Sequence, residues 1–134
     1  MFVWPVRVYY EDTDSGGVVY YANYLKFMER ARTEWLRARG VEQDALLRER
    51  RLVFAVRALS VDYHRPARFN DLLAVSSRVV EARGASILFE QTVQRDPSAE
   101  VLCGARVRVA CIDADTFRVR RFPRRLVGEI GGES

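Results

Sequence analysis

The chain has 134 residues, room for one domain and not for two full ones. Its 49% hydrophobic and 30% charged content is that of a globular chain and excludes wholesale disorder. No apolar run approaches the ~20 residues needed to span a bilayer. The opening MFVWPVRVYY has neither a charged start nor a small-residue cleavage site, so no secretory leader is expected and the expected compartment is the cytoplasm.

The formal net charge is +4, and Lys26 is the only lysine among 22 cationic residues. Arginine is the forked donor that grips phosphates and carboxylates bidentately. A general arginine bias is the plainer explanation and an anionic, phosphate-bearing ligand the sharper one, and composition alone does not separate them. Cys103 and Cys111 fall in a single predicted strand, ~27 Å apart. A disulfide needs Cα atoms within about 7 Å, so they read as buried thiols of a reducing compartment. His64 is the one histidine and no CxxC is present, so no metal site is expected.

Residues 3–10 are rich in β-formers and predict a first strand, with Pro5 pointing to an edge position. The polar stretch Glu11-Asp12-Thr13-Asp14-Ser15-Gly16-Gly17 interrupts it. The period then changes: Tyr21, Tyr24, Leu25, Met28, Ala31, Trp35 and Ala38 recur at steps of three and four, an amphipathic helix between Tyr21 and Arg39. Gly40 reads as its stop, and a shorter helix is expected near 42–50. From residue 52 the period returns to two. Val101, Cys103, Ala105, Val107, Val109 and Cys111 share one face while Arg106 and Arg108 share the other. Strands are placed near 52–64, 71–83, 86–95 and 100–112, with turns at Gly84-Ala85 and Asp96-Pro97-Ser98. A short fifth element is expected from Phe117 to Phe122. The domain is taken as 1–127, with a mobile tail at 128–134.

One long helix followed by alternating strands is an α+β pattern with an antiparallel sheet. A single helix covers only part of such a sheet, so strand edges and leftover apolar surface point to a homodimer or larger assembly.

The polar stretch carries the chemistry. As a calcium loop it fails, because the fifth position is Gly16 rather than Asp or Asn and the twelfth is Asn23 rather than Glu. An Asp-x-Asp phosphatase would need a parallel α/β sheet, which the alternating strands deny. What survives is a carboxylate on a glycine-bearing turn leading straight into a helix, whose first N–H groups are unpaired and partly positive. Such amides hold an oxyanion, and a carboxylate such as Asp14 beside them suits attack on an activated acyl group. The same residues also serve a purely structural role, with Asp12 and Asp14 capping a helix and shaping a turn. The residues alone leave both open.

The segment Tyr9-Tyr10-Glu11-Asp12-Thr13-Asp14-Ser15-Gly16-Gly17-Val18-Val19-Tyr20-Tyr21-Ala22-Asn23-Tyr24, running on into Glu29-Arg30-Ala31-Arg32-Thr33, resembles the signature of hot-dog-fold acyl-CoA thioesterases. It is similar to the 4-hydroxybenzoyl-CoA thioesterase family, and closest to the branch associated with the bacterial Tol–Pal system. The resemblance extends through Tyr63-His64-Arg65-Pro66-Ala67 and the strands to Pro123.

The resemblance implies a central helix wrapped by a curved antiparallel sheet, paired into homodimers and onward into homotetramers, with active sites at the dimer interface. The substrate it implies is an acyl-coenzyme A, hydrolysed without a cofactor. By the same likeness Asp14 is the catalytic carboxylate, the Tyr21 backbone N–H polarises the thioester carbonyl, and Tyr10 lines the site. The branch usually carries histidine where Tyr21 stands; the backbone contribution is independent of that side chain. Asp14 either attacks directly, through a mixed anhydride, or activates water. His64 lies in a region that borders the family's site across the dimer, or is a partly exposed strand-end residue. Arg83 and Arg118 stand where the family grips the phosphates of coenzyme A, with Arg120, Arg121, Arg124 and Arg125 nearby. A non-catalytic acyl-CoA or acyl-carrier binder is the alternative. No nucleic-acid motif is present, so no nucleic-acid partner is expected.

Overall fold

The computed structural model describes residues 1–124 and 126; Arg125 and residues 127–134, with the expected tail, lie outside the described residues. The elements in order are β1 (Phe2–Arg7), a short 3-10 turn (Tyr10–Asp12), α1 (Asn23–Ala38), α2 (Gln43–Arg50), β2 (Leu52–Tyr63), β3 (Leu72–Arg83), β4 (Ser86–Asp96) and β5 (Glu100–Asp113). The strands form one antiparallel sheet in the order β1-β3-β4-β5-β2. Among the described residues no helix is long and apolar enough to cross a membrane.

The helix forms where the 3.6-residue period lies, and its dry stripe is Tyr24, Phe27, Met28, Ala31, Trp35 and Leu36. Against it the sheet presents Leu73, Val75 and Val79 from β3, Ile87, Phe89 and Val93 from β4, and Cys103, Val107, Val109 and Cys111 from β5, all buried. Each large apolar side chain so covered contributes about 1.5–3 kcal/mol relative to exposure. The stripe is rotated from the expected one: Phe27 and Leu36 replace Tyr21 and Ala38, because the helix begins at Asn23 and packs chiefly on β1 and β3.

Bulges re-aim other side chains. On β5 the pairing shifts beside Val93 and Gln94, so Leu102 is fully buried and Val101, expected on the dry face, is exposed. An extra residue in one strand of a pair turns its neighbours to opposite faces. Residues 117–122 contribute only an isolated bridge, Ile112 to Val119, rather than a strand.

Pro5 lies in edge strand β1 as expected. The other edge, β2, is the larger exposure. Its helix-side residues Val56, Leu59 and Tyr63 are 49%, 42% and 46% exposed, since α1 does not reach across to them. A long edge with bare apolar side chains is a pairing surface.

Cys103 and Cys111 are free and buried. Burial pushes the Cys103 thiol up to about 11 and raises Cys111 as well. A thiol that high is almost wholly protonated at neutral pH and unreactive. The native protein is therefore expected to give no reaction with a chromogenic disulfide reagent at pH 7.5, and two equivalents of thiol only after unfolding in guanidinium.

Candidate active site

The segment between β1 and α1 is built as a small, rigid hairpin. Thr13 bridges Val19, the Asp14 N–H donates to the Val18 carbonyl at 2.9 Å, and the Tyr20 N–H donates to the Asp12 carbonyl at 3.0 Å. The turn closes through the Gly17 N–H on the Asp14 carbonyl at 3.0 Å, with Gly17 at φ 80°. That left-handed conformation favours glycine. A second bridge, Val18 to Arg68, ties the hairpin to the loop after β2.

The two aspartates stand in different surroundings. Asp12 is buried and structural: its Oδ2 accepts the Tyr9 N–H at 2.8 Å, and its carbonyl accepts the Asn23 side-chain amide at 2.8 Å. Asp14 is exposed. Its Oδ1 accepts the Gly16 N–H at 2.8 Å, which fixes the carboxylate in an Asx turn, while Oδ2 has no partner among the described residues. A Cβ added at Gly16 would stand 3.2 Å from Asp14 Oδ1. Gly16→Ala is therefore expected to displace the carboxylate and lower kcat/KM about tenfold with little change in Tm. Asp12→Ala removes a hydrogen-bonded cap and is expected to cost about 1–2 kcal/mol by urea denaturation.

Helix α1 opens without a side-chain cap. The N–H groups of Tyr21 and Ala22 donate to no acceptor among the described residues, the condition under which helix-start amides donate to an external oxygen. The Tyr21 carbonyl is instead held from below by the Tyr63 hydroxyl, which donates to it at 2.9 Å. Partial burial raises the Tyr63 phenol further above its ordinary value, so it stays a donor at neutral pH. The rings of Tyr20, Tyr21, Tyr24 and Tyr63 form a chain of contacts beside this carbonyl, with neighbouring centroids 4.8–6.3 Å apart. Tyr63 and Asn23 thus tie the helix start and the hairpin to their neighbours. Only the family signature hinted at them, because neither belongs to a local chemical motif.

Tyr10 packs edge-on against Phe69, 5.8 Å between centroids, and with Tyr9 and Glu11 they line a shallow hollow at the same end of the molecule. His64 also lies at this end, its N–H donating to the Leu102 carbonyl at 2.8 Å. Its side chain, however, is exposed and borders a hollow of Ser60, Asp62, Thr92, Gly104 and Arg106. Strand alternation places these on the face opposite Tyr63.

Arg83 and Arg118 are at the other end. Arg83 closes β3, exposed and paired with Glu81 at 2.6 Å; Arg118 follows β5, also exposed, with its carbonyl accepting the Asp113 N–H at 2.8 Å. The β3–β4 turn and the segment after β5 are stitched together by the Phe122 N–H on the Gly84 carbonyl at 2.7 Å. The eleven steps of β3 from Leu72 to Arg83 span roughly 35 Å, so one chain cannot bring Asp14 and these arginines to a single ligand head. At the arginine end lies a cavity of about 340 Å³, between the later turns of α1 and the sheet. Its apolar wall is Phe54, Val56, Ile87, Phe89, Val109 and Phe122, and Asp14 is not among its lining residues. Among the described residues no cluster of His, Cys, Asp and Glu is arranged to hold a metal.

A family model described as the thioesterase-like superfamily matches residues 8–129. The acyl-CoA thioesterase YbgC of Haemophilus influenzae is 50% identical over 125 residues, covering 93% of this chain and 90% of that protein. The long-chain acyl-CoA thioesterase FadM of Escherichia coli is 30% identical over 95 residues, 71% of this chain and 70% of that protein. A probable thioesterase from Bartonella henselae superposes with a TM-score of 0.85 at 35% identity, over 90% of this chain and 98% of that one. A 1,4-dihydroxy-2-naphthoyl-CoA thioesterase from Synechocystis, 23% identical, shares the fold with a TM-score of 0.91 over 98% of this chain and 96% of that one. With its sheet laid on a long central helix and its signature turn intact, the chain has the hot-dog fold and belongs to the thioesterase-like superfamily.

Proposed function

We propose that the protein is an acyl-CoA thioesterase acting as a homodimer, with each active site assembled from both copies. The observation that carries this reading is the separation of parts along the sheet. A free carboxylate oxygen and open helix amides stand at one end, and a cavity with arginines at the other. Edge strand β2, with Val56, Leu59 and Tyr63 bare, runs between them from cavity to Tyr21. Two copies joined antiparallel along β2 about a two-fold axis exchange ends: the Tyr63 end of one meets the Phe54 end of the other. The Asp14 hairpin of one copy then serves the cavity of its partner, where Arg83 and Arg118 receive the phosphates of coenzyme A.

In this site the Tyr21 N–H binds the thioester oxygen and stabilises the charge that develops there. Asp14 Oδ2 attacks the carbonyl carbon; the C–S bond breaks and coenzyme A leaves as the thiolate, taking a proton from water. Water then opens the mixed anhydride, restoring Asp14 and releasing the acid. Tyr10 flanks the entrance, and the reaction needs no cofactor. The reading places the protein in the cytoplasm, where acyl-CoA substrates are found and buried thiols stay reduced.

Thiol release from a panel of aliphatic and aromatic acyl-CoAs tests the activity; a protein that binds them without turnover is a carrier and not this enzyme. A single turnover in heavy-oxygen water tests the step. Label in the Asp14 side chain marks attack by the carboxylate with water opening the anhydride at the Asp14 carbonyl, and trapping of an acyl-Asp14 adduct marks the same attack when water opens it at the acyl carbon.

A further inference from the structure

The cavity between α1 and the sheet is lined by an arginine that, among the described residues, no carboxylate contacts directly. Arg32 lines it on the helix side, with Glu29, Thr33, Leu36 and Gln43. Arg32 Nη1 donates to Gln91 Oε1 at 2.9 Å. Gln91 is fully buried, and its amide nitrogen donates to the Met28 carbonyl at 3.0 Å and to the Ser77 hydroxyl at 2.8 Å. Those two bonds fix which way the amide faces, so its oxygen is permanently aimed at Arg32. The guanidinium is thereby held in one orientation by a neutral group.

Arginine carries five N–H donors and does not deprotonate in proteins. Among the described residues no carboxylate lies within ion-pair distance of Arg32. Glu29, one turn earlier, is exposed and acts only through space, and burial outweighs it: the guanidinium is pushed below its ordinary value. A half-buried cation with unused donors, facing an apolar wall, is costly unless something anionic completes it.

We propose that Arg32 determines specificity by binding a carboxylate at the far end of the acyl group, so that the preferred substrates are ω-carboxyacyl-CoAs. This rests on the thioesterase reading above. The wall of Phe54, Ile87, Phe89, Val109 and Phe122 takes the methylene chain, and the terminal carboxylate pairs with the Arg32 fork. At 340 Å³ the cavity has room for about ten water-sized groups, which suits a chain of medium length. A plain chain of the same length leaves the arginine's donors unpaired and loses the charge-assisted bonds.

The test compares octanoyl-CoA with octanedioyl-CoA, in which the far end carries a carboxylate, by thiol release with wild-type protein, Arg32→Gln and Arg32→Lys. The wild type is expected to favour octanedioyl-CoA in kcat/KM, and Arg32→Gln to lower that preference about tenfold or more, with Arg32→Lys between them. Calorimetric titration of octanedioate and octanoate into the Asp14→Asn protein gives a readout independent of turnover, and the dicarboxylate is expected to bind the more tightly. Equal loss on both substrates in Arg32→Gln, or a wild-type preference for octanoyl-CoA, overturns the assignment while leaving the thioesterase reading intact. Failure to release thiol from any acyl-CoA overturns both.

Discussion

Asp14→Asn is expected to lower kcat/KM by about a thousandfold, the scale of a lost nucleophile or base, while Tm and oligomeric state stay unchanged. The carboxamide oxygen still accepts the Gly16 N–H that Oδ1 accepts at 2.8 Å, so the Asx turn persists. The exposed Oδ2 becomes a nitrogen and can no longer attack. KM is expected to change little, because the cavity and the arginines hold the rest of the substrate. Thiol-release kinetics beside a thermal melt check this; a variant retaining more than a tenth of wild-type activity would remove Asp14 from the chemistry.

The second large effect concerns the proposed sharing of each site between two copies. Thr33 lines the cavity on half-exposed α1, and Thr33→Trp is expected to fill the space and abolish turnover without unfolding the helix. Asp14→Asn is inactive for the other reason. When the two inactive proteins are mixed and allowed to exchange subunits, half the dimers are mixed and one site in each has both working halves. Activity is then expected to return to about a quarter of wild type. Sites contained within one chain would stay dead in every mixture. Leu59→Asp, placing a charge on the exposed face of β2, is expected to give an inactive monomer on light scattering.

Much of this molecule is written locally. The 3.6-residue spacing through Met28, Ala31 and Trp35 and the two-residue spacing through Val107, Val109 and Cys111 depend only on which side of an element meets water. They therefore placed α1 and four long strands near their observed bounds. The turn before α1 was equally legible, because Asp14, Gly16 and Gly17 act through bonds spanning a few residues. Where long-range pairing intervened, the reading shifted. Tyr20 is held to the Asp12 carbonyl, so the helix starts after Tyr21. The β5 bulge exchanges Val101 for Leu102 in the core. After β5, Val119 finds one bridge where a strand was expected.

Composition and spacing determined that an anion-bearing turn feeds a helix, and that an antiparallel sheet needs cover. Strand order determined the rest. Arranging β1-β3-β4-β5-β2 sends Asp14 and Arg83 to opposite ends of the sheet, leaves β2 bare, and turns Arg32 into a cavity beside Gln91. None of these follows from neighbours in the chain, because each depends on how elements tens of positions apart are arranged. Such contacts are chosen by how whole faces fit together rather than by any short pattern.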